Sequence, residues 1–156
     1  MFWKLPGGIS AAGLIFFPIV LLFNHALRMP SFTFKKEERL KSRKIIGQIF
    51  KKGMAINAHP LRLVWTKTAL PHPQVPLQFA LTVPKRRFPK ASQRNRIRRQ
   101  MREVYRLYKP NVYEVLGGQK EQFAWMLIYI GKEAVDYAAI EKALQKITKR
   151  FSQQLS

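Results

Sequence analysis

The sequence predicts an α+β domain in the order α-β-β-β-α-β-α, with a four-stranded sheet packed with helices. Three patterns carry the prediction. Residues 61–68 and 78–83 alternate apolar with polar side chains, as half-buried strands do. Residues 123–130 form a continuous apolar run suited to an inner strand. Residues 37–52, 92–108 and 136–151 repeat apolar side chains at helical spacing. With 156 residues, 47% of them hydrophobic, the chain suffices for one cored domain and a short extension.

The extension is residues 1–28. Leu5 to Phe23 carries no charge, yet Pro6, Gly7, Gly8, Gly13 and Pro18 make it a poor helix. Three readings compete: a membrane anchor of minimal length, a signal peptide with a weak cleavage site at Asn24-His25-Ala26, or upstream sequence preceding a translation start at Met29. The last is preferred, which leaves residues 29–156 as a single domain, expected in the cytoplasm.

The first helix is expected over Glu37 to Lys52, with Ile45, Ile46, Ile49 and Phe50 as its apolar stripe and Gly53 as its stop. Met54 to Asn57 reads as a short strand. Leu61 to Thr68 is a clearer one, with Leu61, Leu63 and Trp65 on one side and Arg62, Val64 and Thr66 on the other. Pro71, Pro73 and Pro76 punctuate the connection to the strand Gln78 to Val83. Pro84 to Lys90 should be a loop, and Ser92 an N-cap for a helix that runs to about Tyr108 and stops at Pro110. Gly117-Gly118 marks a break, and Phe123 to Ile130 is the fourth strand. The last helix is capped by Asp136, stapled by Val135 and Ile140, and buries Ile140, Leu144, Ile147 and Phe151.

Charge narrows the function. The chain holds 29 basic and 8 acidic residues, a formal +21, which marks a binder of polyanions. Ten of the basic residues fall between Lys85 and Arg106, against the single acid Glu103. At about 100° per residue, Arg94, Arg98, Arg102 and Arg106 form one stripe beside the apolar arc of Ile97, Met101, Val104 and Tyr108. Like charges one turn apart repel by about 0.2–0.5 kcal/mol per pair, so an anionic partner is needed to offset them. A face kept charged for solubility would carry interspersed Glu and Asp, and this one does not. Arginine suits bidentate phosphate contacts and stacking on bases.

Catalysis by the chain's own side chains is not expected. Its acids show no dyad or metal-cradle spacing, His25, His59 and His72 are isolated, and cysteine is absent. No metal site and no small-molecule substrate are predicted.

The element order, with Arg39-Leu40-Lys41, Phe50-Lys51-Lys52-Gly53, Leu81-Thr82-Val83-Pro84-Lys85-Arg86 and Arg94-Asn95-Arg96-Ile97-Arg98-Arg99 continued by Arg102-Glu103-Val104-Tyr105, resembles the bacterial ribonuclease P protein subunit over about Thr33 to Phe151. The resemblance implies a ribosomal-protein-S5-domain-2-like fold with a left-handed βαβ crossover, the hand opposite to the general preference. It also implies an accessory role in a ribonucleoprotein endonuclease, whose catalytic RNA holds Mg²⁺ and removes the 5′ leader of precursor tRNA. Both RNAs would be partners, and a membrane would not.

By the same resemblance, Lys85, Arg86, Arg94, Asn95, Arg96, Arg98, Arg99 and Arg102 contact the catalytic RNA. Ile46, Phe50 and Trp65 line a cleft for the leader, where stacking tolerates any base. Ile46 departs from the family, many of whose members carry an aromatic there, and Pro84 replaces a small polar residue. For Phe50 and Trp65, core packing is the competing reading. Two other functions compete with the whole: a membrane-tethered basic adaptor and a general ribosomal-type RNA binder.

Overall fold

The computed structural model describes residues 33–155; the apolar extension and the proposed start at Met29 lie outside them. The elements are α1 (Arg43–Lys52), β1 (Met54–Ala58), β2 (Leu61–Lys67), β3 (Leu77–Thr82), α2 (Ala91–Leu116), β4 (Phe123–Tyr129) and α3 (Tyr137–Leu155). They follow the expected α-β-β-β-α-β-α order. The four strands form one mixed sheet in the order β1-β2-β4-β3. β2 pairs antiparallel with both β1 and β4, while β3 pairs parallel with β4, so α2 is the crossover between parallel neighbours.

Both faces of the sheet are covered. Leu61, Leu63 and Trp65 of β2 join Trp125 and Leu127 of β4 and Phe79 of β3 in the larger core, beneath α2 and α3. Val64, Ala124 and Met126 point the other way and pack with Ile45 and Ile49 of α1. This two-sided burial explains why β4 reads as a continuous apolar run.

Three helix boundaries differ from expectation. α1 starts at Arg43 rather than Glu37, because residues 38–40 lie along the outer edge of β3. Phe79 N–H donates to the Glu38 carbonyl at 2.8 Å and Leu40 N–H to the Phe79 carbonyl at 3.0 Å. Edge pairing thus takes the backbone groups a helical turn would have used, and Ser42 caps α1 by accepting from Ile45 N–H at 3.4 Å. α2 starts at Ala91, so Ser92 lies inside the helix and Lys90 occupies the cap position without a side-chain cap bond.

Pro110 does not end α2, which continues to Leu116. A helical proline costs about 3 kcal/mol through its missing N–H and its clash with the preceding turn. Val112 and Leu116 are buried in the larger core and Lys109 is buried in an ion pair, so tertiary packing offsets that cost. Gly53 ends α1 as expected, turning to extended backbone while its N–H donates to the Ile49 carbonyl at 2.9 Å, and a Cβ there would stand 2.3 Å from that carbonyl oxygen and 2.9 Å from Val64 Cγ1. Among the described residues no helix is long and apolar enough to cross a membrane.

Candidate RNA interface

The basic segment begins in the turn between β3 and α2. Arg87 and Phe88 N–H groups both donate to the Pro84 carbonyl at 3.2 Å. Phe88 is buried edge-on against Tyr129 with ring centroids 5.6 Å apart, and the Arg87 guanidinium donates to the Ile130 carbonyl. The turn is thereby pinned to the core with Lys85 and Arg86 exposed beside the start of α2.

On α2, the apolar stripe Ile97, Met101, Val104 and Tyr105 is buried and fixes the helix rotation. Asn95, Arg96, Arg99 and Arg102 are then exposed, and Arg94 and Arg98 stand half-buried at the edge. Arg94 is engaged within the chain, where its guanidinium donates to the Phe88 and Pro89 carbonyls at 2.8 and 2.6 Å and ties the basic turn to the helix. Arg106 pairs with Glu103 through bonds of 3.0 and 2.6 Å. That hydrogen bond holds the Glu103 carboxyl below its ordinary value and raises Arg106. The one acid of the segment therefore answers the last arginine of the stripe, and the upstream arginines keep their charge for a partner.

Asn95, Arg96 and Arg99 border a groove of about 550 Å³. Ser92, Gln100 and Glu103 of the same helix and Tyr137 at the start of α3 complete it. Desolvation, then Glu141 and Glu103, push the Tyr137 phenol above its ordinary value, with Arg106 opposing. The groove combines guanidinium groups, side-chain amides, the Glu103 carboxylate and an aromatic ring, and the first two are chemically able to meet phosphates and base edges. Sequence reasoning missed Tyr137 because its nearness to α2 comes only from helix packing.

The expected leader cleft needs correction. Ile46 and Phe50, one turn apart on α1, flank its buried stripe; Phe50 is 59% exposed and Ile46 half-buried. Trp65 is on the opposite face of the sheet and fully buried, edge-on to Phe151 of α3 with ring centroids 4.8 Å apart. The alternation of β2 puts Arg62, Val64 and Thr66 on the α1 side instead. Asn57, Arg62, Ile128 and Thr82 stand opposite one another across β1, β2, β4 and β3, giving that face a row with Asn57 and Arg62 exposed. Arg62 could have been read from its parity with Val64.

A sequence model of the family described as Ribonuclease P matches residues 34–152. The chain belongs to the bacterial ribonuclease P protein family. It is 33% identical over 117 residues to the ribonuclease P protein component of Porphyromonas gingivalis, a match spanning 75% of this chain and 85% of that protein. Over 122 residues it is 26% identical to the component of Thermotoga petrophila, covering 76% of this chain and 96% of the relative.

Solved structures show the same fold. The ribonuclease P protein of Staphylococcus aureus superposes with a TM-score of 0.57 at 18% identity, covering 74% of this chain and 95% of that one. That of Thermotoga maritima gives 0.56 at 24% identity, with 72% and 96% covered. Membership makes the chain a subunit of a ribonucleoprotein endonuclease of tRNA processing, and implies ribonuclease P RNA as its partner.

Proposed function

We propose that the chain binds the catalytic RNA of ribonuclease P through the exposed side of α2 and the basic turn before it, and assists RNA-catalysed removal of the 5′ leader from precursor tRNA in the cytoplasm. Asn95, Arg96, Arg98, Arg99 and Arg102, with Lys85 and Arg86, contact phosphates and unpaired bases, while Arg94 also braces the turn. The carrying observation is the cluster of exposed arginines on one rigid helix, with Glu103 already engaged by Arg106. Mg²⁺ is held by the RNA.

The leader runs along the flank of α1 that carries Ile46 and Phe50 and over the sheet row containing Arg62. Phe50 supplies a stacking face, Ile46 an apolar contact and Arg62 a phosphate contact. Neither Phe50 nor Arg62 is used by the core, which supports this assignment.

Reconstitution tests the reading. Added to the catalytic RNA at low Mg²⁺, the protein should raise cleavage of precursor tRNA, and more for substrates with a leader than for those cut back to the first nucleotide. Equal stimulation of both would remove the leader assignment, and no stimulation would remove the functional one.

A further inference from the structure

Residues 33–42 form a strap that crosses from α2 to the outer edge of β3 and leads into α1. Its backbone is tied to β3 by the Glu38, Leu40 and Phe79 bonds and by the Gln78 side-chain amide, which donates to the Glu37 carbonyl at 2.9 Å. Its tie to α2 is a buried polar cluster. The Glu38 carboxylate accepts from the Lys109 ammonium at 2.5 Å, the Tyr113 hydroxyl at 3.0 Å and the Lys35 backbone N–H at 2.9 Å. Lys109 also donates to the Thr33 carbonyl at 2.8 Å. Lys109 and Glu38 are only 4% and 5% exposed.

A buried ion pair adds little net stability over apolar residues of the same volume; here its hydrogen bonds tie the strap to α2 at Thr33 and Glu38, and Glu38 also holds the Lys35 N–H. With the strap so tied, Glu38 and Leu40 are buried and Lys36, Arg39 and Lys41 exposed. These three cations border a cavity of about 380 Å³, with Glu37, Ser42, Pro71, His72 and Gln78 in the rest of its wall. Among the described residues none of the three is in an ion pair, and Arg39 also lies over the Phe34 ring at 5.6 Å. The cavity shares no residue with the groove on α2. Three cations on a backbone fixed from two sides lose little freedom on meeting an anion.

We propose that this cavity is a second phosphate-binding subsite, taking a phosphodiester of RNA, and that the Lys109–Glu38 pair positions the strap for it. The proposal rests on the chain being an RNA binder and adds a surface away from α2. The phosphodiester can come from the catalytic RNA or from the substrate leader.

The test is the salt dependence of affinity, measured for the catalytic RNA and for leader-bearing precursor bound by the holoenzyme. The triple variant Lys36→Gln, Arg39→Gln, Lys41→Gln should lower the slope of log affinity against log salt by roughly two units with one of these RNAs, and that RNA is the source. Unchanged slopes with both, while Arg99→Ala/Arg102→Ala still lowers the slope for catalytic RNA, would overturn the subsite and leave the α2 interface standing. The charge-conserving pair Lys109→Met/Glu38→Gln removes no cation from the cavity, yet should produce the same loss of slope with the fold retained by circular dichroism. A full slope in that variant would overturn the positioning role.

Discussion

Trp65 and Phe151 meet edge-to-face at 4.8 Å with an interplanar angle of 88°, and this contact joins β2 to α3 in the larger core. Both rings are fully buried. Trp65→Ala should therefore cost about 3–5 kcal/mol of stability through lost burial and a residual cavity. Denaturant unfolding measures it. A loss under about 1 kcal/mol, or a selective loss of leader affinity in a fully stable protein, would contradict the core assignment.

Phe50 provides the contrast. Its exposed ring contributes little to folding, so Phe50→Ala should change stability by no more than about 0.5 kcal/mol. Affinity for leader-bearing precursor should fall by about 1–3 kcal/mol, with leaderless tRNA unaffected. Comparing holoenzyme affinity for the two substrates decides this, and parallel losses would remove stacking as the role of Phe50.

The Lys109–Glu38 pair makes a prediction about stability that is independent of RNA. Glu38→Ala leaves the Lys109 ammonium buried without its carboxylate, at a cost of about 3–5 kcal/mol. Lys109→Met/Glu38→Gln should recover most of that loss. Thermal unfolding of the two variants checks the order, and equal destabilisation would show that the pair itself, rather than an orphaned charge, carries the energy.

Tyr105 is one of the tyrosines that make stability fall at alkaline pH. It stacks on Phe79 with ring centroids 3.7 Å apart, and its hydroxyl has no hydrogen-bond partner among the described residues. Burial pushes its phenol well above the ordinary value, with smaller contributions from Tyr113 and Glu38. The unfolded phenol therefore loses its proton first, so this contribution to stability is complete below about pH 10 and is lost as pH rises further. Tyr105→Phe should hold neutral-pH stability within about 1 kcal/mol and soften the alkaline fall. An unchanged alkaline fall in the variant would mean that other groups govern it.

Much of this was legible in the chain. Two-residue alternation already placed Trp65 with Leu61 and Leu63, on the side that became the core, and family resemblance pulled it to the wrong face. One register step separates Trp65 from Val64, and one step reverses a strand side chain. The helical rotation of α2 is legible in Ile97, Met101 and Val104, but the stripe read from spacing is only partly exposed. Arg102 is exposed, Arg94, Arg98 and Arg106 are half-buried, Arg96 and Arg99 stand out beside it, and Tyr105 rather than Tyr108 completes the buried arc. The length of α2 was not legible, because the packing that tolerates Pro110 is tertiary. Local pattern also could not show that residues 38–40 pair with the edge of β3, that Arg94 is spent on the Phe88 and Pro89 carbonyls, or that Tyr137 closes the groove. Each depends on an element distant in sequence or on a side-chain bond that periodicity does not encode.

Exposed arginines on α2 are assigned above all to phosphates of the catalytic RNA. That contact is tested most directly by measuring affinity for the RNA across a salt series with the parent chain and with Arg99→Ala/Arg102→Ala. Each lost phosphate contact lowers the slope by about 0.7–0.9, so the double variant should be flatter by up to about two units, with stability unchanged. A slope identical to the parent's, in a folded variant, would contradict direct phosphate contact by this face.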